Sequence, residues 1–70
     1  MSLNIKFWLN GQKYRINEQI RLYDLIKYFR YSNTLLVLEH NKVIYNKNLW
    51  KEILVSDLDK IEIVTIVGGG

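Results

Sequence analysis

An Asn-Gly pair at Asn10 and Gly11 separates two stretches in which apolar and polar residues alternate. Strict alternation is typical of a half-buried strand, because successive side chains of a strand point to opposite faces. Asn-Gly favours the two positive φ values of a type I′ turn, which fixes the register of the flanking strands. The chain is therefore predicted to begin with a β-hairpin, whose cross-strand pairs are Leu9 with Gln12, Trp8 with Lys13, Phe7 with Tyr14, Lys6 with Arg15 and Ile5 with Ile16.

This register places Trp8 on the outward face of the hairpin, among the cations of Lys6, Lys13 and Arg15. Two interpretations of Trp8 stay open: lysine stems cover the indole, or the indole belongs to a contact surface. A ring beside cations is also the pattern of a small basic RNA-binding module. The net charge of +3 favours an acidic protein partner, but the ten Lys and Arg residues are scattered, so nucleic acid is not the expected partner.

The hydrophobic period changes after residue 19. Apolar side chains then recur at the spacing of one face of an amphipathic helix, at Leu22, Leu25, Ile26 and Phe29. Arg21 precedes this stripe where Ser, Thr, Asp or Asn would cap a helix, so no side-chain N-cap is expected.

The second half of the chain predicts short strands. An apolar run at 35–39 predicts a strand that is either covered on both sides or has an outward face that meets a partner. A turn at His40 and Asn41 and a strand at 43–45 follow it. The apolar residues after this strand are expected to tuck beneath the sheet as a helical turn: Leu49, Trp50 and Ile53.

The final strand runs from residue 61 into three glycines at the end of the sequence. Ile61 and Ile63 are expected to face the core, because alternate residues of a strand share a face. The opposite face then presents aliphatic side chains beside a glutamate, which is unusual for a solvated surface. Val64 and Ile66, with Trp8 as a further candidate, are therefore predicted to dock a partner protein.

Gly68, Gly69 and Gly70 have no side chains, so this segment can extend, adopt positive φ and enter a channel too narrow for other residues. Such a tail can deliver the Gly70 carboxylate to the active site of a partner, where the carboxylate is the reacting group. Gly68 and Gly69 are predicted to supply access and Gly70 the chemistry. We expect residues 68–70 to form a flexible tail on one domain at residues 1–67.

The sequence contains few candidates for catalytic or metal-binding residues. It has no cysteine, and its single histidine, His40, is expected to be a surface turn residue rather than a metal ligand or a base. Asp57 and Asp59 are interpreted as solvated turn formers rather than as a catalytic pair. No apolar run approaches the ~20 residues that span a bilayer. We therefore expect a protein that is not an enzyme, binds no metal and no cofactor tightly, and does not enter a membrane.

The order of hairpin, helix, two short strands and final strand predicts the fold. It indicates an α+β fold of the β-grasp (ubiquitin-like) type, with a mixed sheet and one main helix packed on one face.

Three segments resemble the ThiS family of thiamine-biosynthesis sulfur carriers, and the resemblance extends over essentially the whole chain. They are Leu9-Asn10-Gly11, the segment at 37–44 and the segment at 61–70 with its glycines. Molybdopterin-synthase small subunits are similar in fold and in their Gly-Gly end, but they usually carry prolines before the tail, and this chain has no proline. The family often has Asp-Gly-Asp before the final strand; Leu58 replaces that glycine here and argues against a positive-φ turn.

The resemblance implies a protein that is itself a substrate. An adenylating, E1-like enzyme activates the Gly70 carboxylate with ATP, a sulfur donor system then gives a thiocarboxylate, and thiazole synthase accepts the sulfur. ATP is thus used by the partner enzyme. The implied location is the cytoplasm, or the plastid stroma if the protein is organellar. Three alternatives stay open: a sulfur carrier like the molybdopterin-synthase small subunit, a ubiquitin-like modifier joined through Gly70 to a lysine amine, and the RNA-binding module.

Overall fold

The chain forms five strands and one α-helix within the residues that a computed structural model describes, 3–29 and 36–65. The elements in chain order are β1 (Ile5–Leu9), β2 (Gln12–Ile16), α1 (Leu22–Tyr28), β3 (Leu36–His40), β4 (Val43–Tyr45), a 3-10 helix (Lys47–Leu49) and β5 (Asp59–Thr65). The strands make one mixed sheet in the order β2-β1-β5-β3-β4. β1 and β5 are parallel, and the other neighbouring strands are antiparallel. The predicted α+β, β-grasp arrangement is confirmed.

The β1–β2 hairpin has the predicted register at every position, starting from Ile5 opposite Ile16. Both residues of its turn have positive φ, 51° at Asn10 and 81° at Gly11. These are the values that a type I′ turn requires. The register of the hairpin is therefore the one that the local sequence predicts.

One apolar core lies between α1 and the inner face of the sheet. Ile61 and Ile63 face this core as predicted, and so does the helical stripe from Leu22 to Ile26. Trp50 is buried beneath the sheet, and its indole N–H donates to the carbonyl of Tyr45 at 3.1 Å. The prediction that Leu49 tucks beside it is wrong, because Leu49 ends the 3-10 helix with its side chain exposed.

The helix begins without a side-chain cap on Arg21, as expected, and backbone carbonyls replace the cap. The N–H of Leu22 donates to the carbonyl of Ile53 at 2.9 Å, and the next N–H donates to that of Trp50 at 3.0 Å. The carboxylate of Asp24 accepts the N–H of Arg21 at 2.8 Å. The segment before β5 thus satisfies the N–H groups that a helix start leaves free.

Asp59, the first residue of β5, is buried and accepts three hydrogen bonds. One carboxylate oxygen accepts from Nε2 of His40 and from the backbone N–H of Ser56, each at 2.7 Å. The other accepts from Nδ2 of Asn41 at 3.0 Å. The carboxylate therefore joins the end of β3 and the turn before β5 to the start of β5.

The predictions that Asp59 is a solvated turn former and that His40 is a surface turn residue are both wrong. His40 is the last residue of β3 and lies opposite Ile61, so its ring points to the inner face beside Asp59. Nothing in the local sequence shows this, because the two residues meet only when β3 pairs with β5. Asp57 does lie in a turn, where its carboxylate accepts the N–H of Lys6 at 2.8 Å.

Hydrogen bonding sets the ionisation of Asp59. Burial alone would raise the pKa of this carboxyl group. The hydrogen bonds from Asn41, Ser56 and His40, together with the charge of His40, outweigh burial and lower the pKa of Asp59 below its ordinary value. The ionised form is therefore the one that the fold stabilises.

Leu58 has a φ of 71°, so the expectation that a leucine excludes a positive-φ turn is wrong. Its neighbours hold it in this conformation: the carboxylates of Asp57 and Asp59 are fixed on either side, and the N–H of Leu58 donates to the carbonyl of Lys6 at 2.6 Å. The side chain is 60% exposed, so it gains little from packing. Left-handed backbone costs a residue with a Cβ about 1–2 kcal/mol.

Several predictions fall on residues outside the described ranges: the end of the helical segment beyond residue 29, Ile66, and the glycine tail at 68–70. Within the described ranges, none of the helices is long and apolar enough to cross a membrane.

We expect Asp59→Asn to lower the free energy of unfolding by about 2 kcal/mol at neutral pH, because a buried charged acceptor with three donors is replaced by a neutral amide. The pKa of Asp59 is lower in the folded than in the unfolded state, so its stabilisation is present above about pH 4 and is lost as the pH falls through the folded pKa. The difference in the free energy of unfolding between the variant and the wild type should therefore become smaller at acid pH. Urea denaturation at neutral and acid pH measures both effects, with the exposed Glu52→Gln as control. An equal loss at both pH values would contradict a role for the ionised carboxylate.

We expect Leu58→Gly to raise the free energy of unfolding by about 0.5 kcal/mol, since glycine adopts positive φ without strain but loses more entropy on folding. Leu54, an exposed leucine without positive φ, provides the matched control. Thermal denaturation should show Leu58→Gly melting above the wild type and Leu54→Gly below it. A Leu58→Gly variant that melts as low as Leu54→Gly would show that the leucine side chain matters more than its backbone strain.

Candidate functional site

The end of β5 carries a residue that the sequence predicts to meet a partner. Val64 points away from the core and is 56% exposed, whereas the preceding Ile63 is buried. The predicted alternation of β5 is thus correct. Ile66, Gly68, Gly69 and Gly70 follow β5 in the sequence and lie outside the described residues, so their roles stay predictions.

β5 extends past β1 at this end of the sheet. The parallel pairing of the two strands ends with Leu9 opposite Ile61. The side chain of Asn10 then accepts the N–H of Ile63 at 2.8 Å, while β3 accompanies β5 as far as Thr65. The described part of β5 therefore ends at the rim of the sheet, beyond the hairpin turn.

The exposed aliphatic surface around Val64 continues onto β3 and β4. Val37 lies opposite Val64, and Glu39 lies between Glu62 and Ile44 in neighbouring strands. Ile44 is 65% exposed. We call these five residues, Val37, Glu39, Ile44, Glu62 and Val64, the outer patch. Sequence reasoning named Val64 and left open that the outward face of the strand at 35–39 meets a partner. It did not place Val37 and Ile44 beside Val64, because that depends on the register of β3.

The other half of the same face is basic. Trp8 lies in register with Lys13 of β2 and Lys60 of β5, and the Nζ atom of Lys13 is 5.9 Å from the centre of the indole ring. A lysine therefore lies over Trp8, which supports the first of the two interpretations left open. Val64 lies four positions after Lys60 in β5, about 13 Å along an extended strand, so Trp8 is not part of the outer patch.

The outer face is thus divided by charge, although the whole chain has a net charge of +3. Lys6, Lys13, Arg15 and Lys60 share this face with Trp8, whereas the outer patch contains two carboxylates and three aliphatic side chains. A partner that covers the end of β5 meets an apolar and acidic surface. The net charge of the chain therefore does not predict the charge of a partner at this end.

In residues 3–29 and 36–65, no three His, Asp or Glu side chains come together in a group suited to a metal ion. The one histidine is hydrogen-bonded to Asp59, which also binds the backbone of the turn before β5. That arrangement positions a strand.

Comparisons with known proteins identify relatives over nearly the full length of the chain. The sequence profile described as the ThiS family matches residues 7–70, a range that includes β5 and the three glycines. The chain is 55% identical over 64 residues to the uncharacterized protein ycf40 of Trieres chinensis, covering 91% of this chain and 88% of that protein. It is 35% identical over 63 residues to the sulfur carrier protein ThiS of Bacillus subtilis (strain 168), covering 89% of this chain and 96% of that protein.

A solved structure has the same fold. The crystal structure of the thiamine biosynthesis protein ThiS from Geobacter metallireducens matches with a TM-score of 0.79 and 19% sequence identity, covering 94% of this chain and all of that one. This match supports the β-grasp architecture. The match of the family profile to residues 7–70 and the identity to the Bacillus subtilis sulfur carrier lead to one conclusion: the chain belongs to the ThiS family.

Proposed function

We propose that this protein is a sulfur carrier of thiamine biosynthesis, in which the carboxylate of Gly70 is the group that carries sulfur. The observation that supports this most is the ThiS profile match, which continues through the strand β5 to the terminal glycine. Similarity to the Bacillus subtilis sulfur carrier over 96% of that protein supports the same function. In this function the chain is a substrate of other enzymes.

The chemistry explains why the tail must be narrow and its carboxylate free. In the proposed first step, an oxygen of the Gly70 carboxylate attacks the α-phosphorus of ATP, an acyl–adenylate bond forms and pyrophosphate leaves. Sulfide from the donor system then attacks the acyl carbon and displaces AMP, and the thiocarboxylate that results passes its sulfur to thiazole synthase. A carboxylate is a poor acyl donor until it bears such a leaving group. Gly68 and Gly69 allow the tail to reach both active sites, because they have no side chains that a narrow channel would exclude.

Docking and chemistry belong to different parts of the chain in this proposal. Val64 is the second-to-last residue of β5 and lies on the outer face, six residues before Gly70, so an enzyme that takes in the tail also reaches the outer patch. Extended chain spans at most about 3.5 Å per residue, which keeps the two within about 20 Å. We propose that the adenylating enzyme covers Val64, with Ile66 as a further contact.

Three other functions are distinguishable by experiment. A molybdopterin-type carrier would transfer sulfur from the same Gly70 to a different acceptor enzyme, and a ubiquitin-like modifier would be recovered joined to a lysine amine. An RNA-binding module would use Trp8 with the surrounding cations, but the ammonium of Lys13 lies over the ring on which a base would stack. RNA binding that persists without the terminal glycines would favour that module. The location of the protein in the cytoplasm or plastid stroma stays a prediction.

We expect Val64→Asp to weaken the complex with the adenylating enzyme by about 2 kcal/mol or more, because a charge replaces a central apolar contact. The side chain is exposed, so the folded state of the free protein should be little affected. Val43→Asp makes the same change at a similarly exposed valine of β4 that lies opposite His40, off the outer patch. Calorimetric titration should show weak binding for Val64→Asp and normal binding for Val43→Asp. Equal affinities for the two variants would exclude Val64 from the interface.

We expect changes in the tail to separate access from chemistry. Gly69→Ala should reduce adenylation about tenfold or more, because a methyl group displaces the reacting carboxylate in a narrow channel. Deletion of Gly70 should be more severe, since the new carboxylate lies about 3.5 Å short of the α-phosphate. The free energy of unfolding of both variants should lie within about 0.5 kcal/mol of the wild-type value. The measurement is partner-dependent ATP–pyrophosphate exchange, and full exchange by the deletion variant would contradict Gly70 as the reacting residue.

A further inference from the structure

Two carboxylates lie directly opposite each other on the outer face of the sheet. Glu39 of β3 and Glu62 of β5 are partners in the antiparallel register, and both point away from the core because Leu38 and Ile63 beside them are buried. Side chains in such a pair begin about 5 Å apart at their Cβ atoms. Like charges at this spacing destabilise a sheet. The free protein therefore has an unfavourable interaction at this position.

No ion pair among the described residues offsets that repulsion. Among residues 3–29 and 36–65, the one ion pair joins His40 to Asp59, and it does not involve Glu39 or Glu62. Lys60 lies two positions before Glu62 on the same strand, but its register partner is Trp8. The two glutamates thus remain a negative site in the described sheet.

The surroundings of the two glutamates are apolar. Val37 and Val64 form the neighbouring cross-strand pair, and Ile44 extends the row on β4 beyond Glu39. Val64 and Ile44 are 56% and 65% exposed. A partner that covers these aliphatic side chains also removes water from the carboxylates, which is costly for two like charges unless the partner brings a cation.

We propose that the outer patch is a docking surface for a protein that presents an arginine to Glu39 and Glu62, with apolar side chains around that arginine against Val37, Ile44 and Val64. Arginine fits this position because its planar guanidinium has five N–H donors and can bind two carboxylates at once. The proposed partner is the adenylating enzyme, so this inference rests on the proposed function. To the proposed function it adds an ionic contact with the enzyme, and it assigns that contact to Glu39 and Glu62.

The test compares the stability of the free protein with its affinity for the adenylating enzyme. Glu62→Gln and Glu39→Gln each remove one of the opposed charges while keeping the side-chain shape. Each should raise the melting temperature by about 1–5 °C, because the repulsion is removed. Each should also weaken binding at least about tenfold and reduce its dependence on salt concentration. Glu18→Gln, at an exposed position between β2 and α1, is the matched control and should change neither property.

The opposite directions of the two effects distinguish this proposal from simpler explanations. Unchanged affinity of both variants, when Val64→Asp does weaken binding, would overturn the arginine contact and leave the proposed function intact. A lower melting temperature in both variants would show that the glutamates stabilise the sheet and would overturn the proposal. A dimer in sedimentation equilibrium that Glu62→Gln dissociates would assign the outer patch to a second copy of the chain. Absence of any complex with the wild type would contradict the proposed function itself, and this inference with it.

Discussion

The carboxylate of Asp59 is the contact on which the placement of β5 depends. It accepts hydrogen bonds from the end of β3, through His40 and Asn41, and from the turn that precedes β5, through Ser56. Asn41 also accepts the N–H of Lys60 at 2.8 Å, which continues the attachment by one residue. These bonds fix where β5 starts, and the start of a strand determines which of its side chains face the core. A slip of one residue would bury Val64 and expose Ile63.

β5 in turn organises the remainder of the sheet. It is the central strand, between β1 and β3, and its parallel pairing with β1 brings the first and last elements of the sequence together. The strained Leu58 follows from the same requirement, because the chain must turn sharply between two fixed carboxylates before it enters β5. Rigidity at the start of β5 contrasts with the predicted freedom of the glycines after its end. The proposed function needs both, since in that proposal the partner binds a fixed docking surface and takes the tail into its active site.

Sequence reasoning predicted the elements whose signals are local. The register of the hairpin follows from Asn10 and Gly11, the helix from a four-residue stripe, and the exposure of Val64 from strict alternation in one strand. It failed where residues far apart in sequence determine the environment. His40 and Asp59 look like turn residues in isolation and become a buried pair only through the pairing of β3 with β5. The opposition of Glu39 and Glu62 and the contribution of Ile44 to the outer patch depend on the same register, which no local pattern encodes.

In the proposed function, sulfur replaces one oxygen atom of the Gly70 carboxylate. The most direct test of this claim is the intact mass of the protein isolated from its own cells, with fragmentation to locate any modification. The proposed function predicts a fraction of molecules in which sulfur replaces one oxygen of the Gly70 carboxylate, and the loss of that fraction when the adenylating enzyme is absent. An unmodified terminus in every preparation, from cells in which an active adenylating enzyme is present, would contradict the claim.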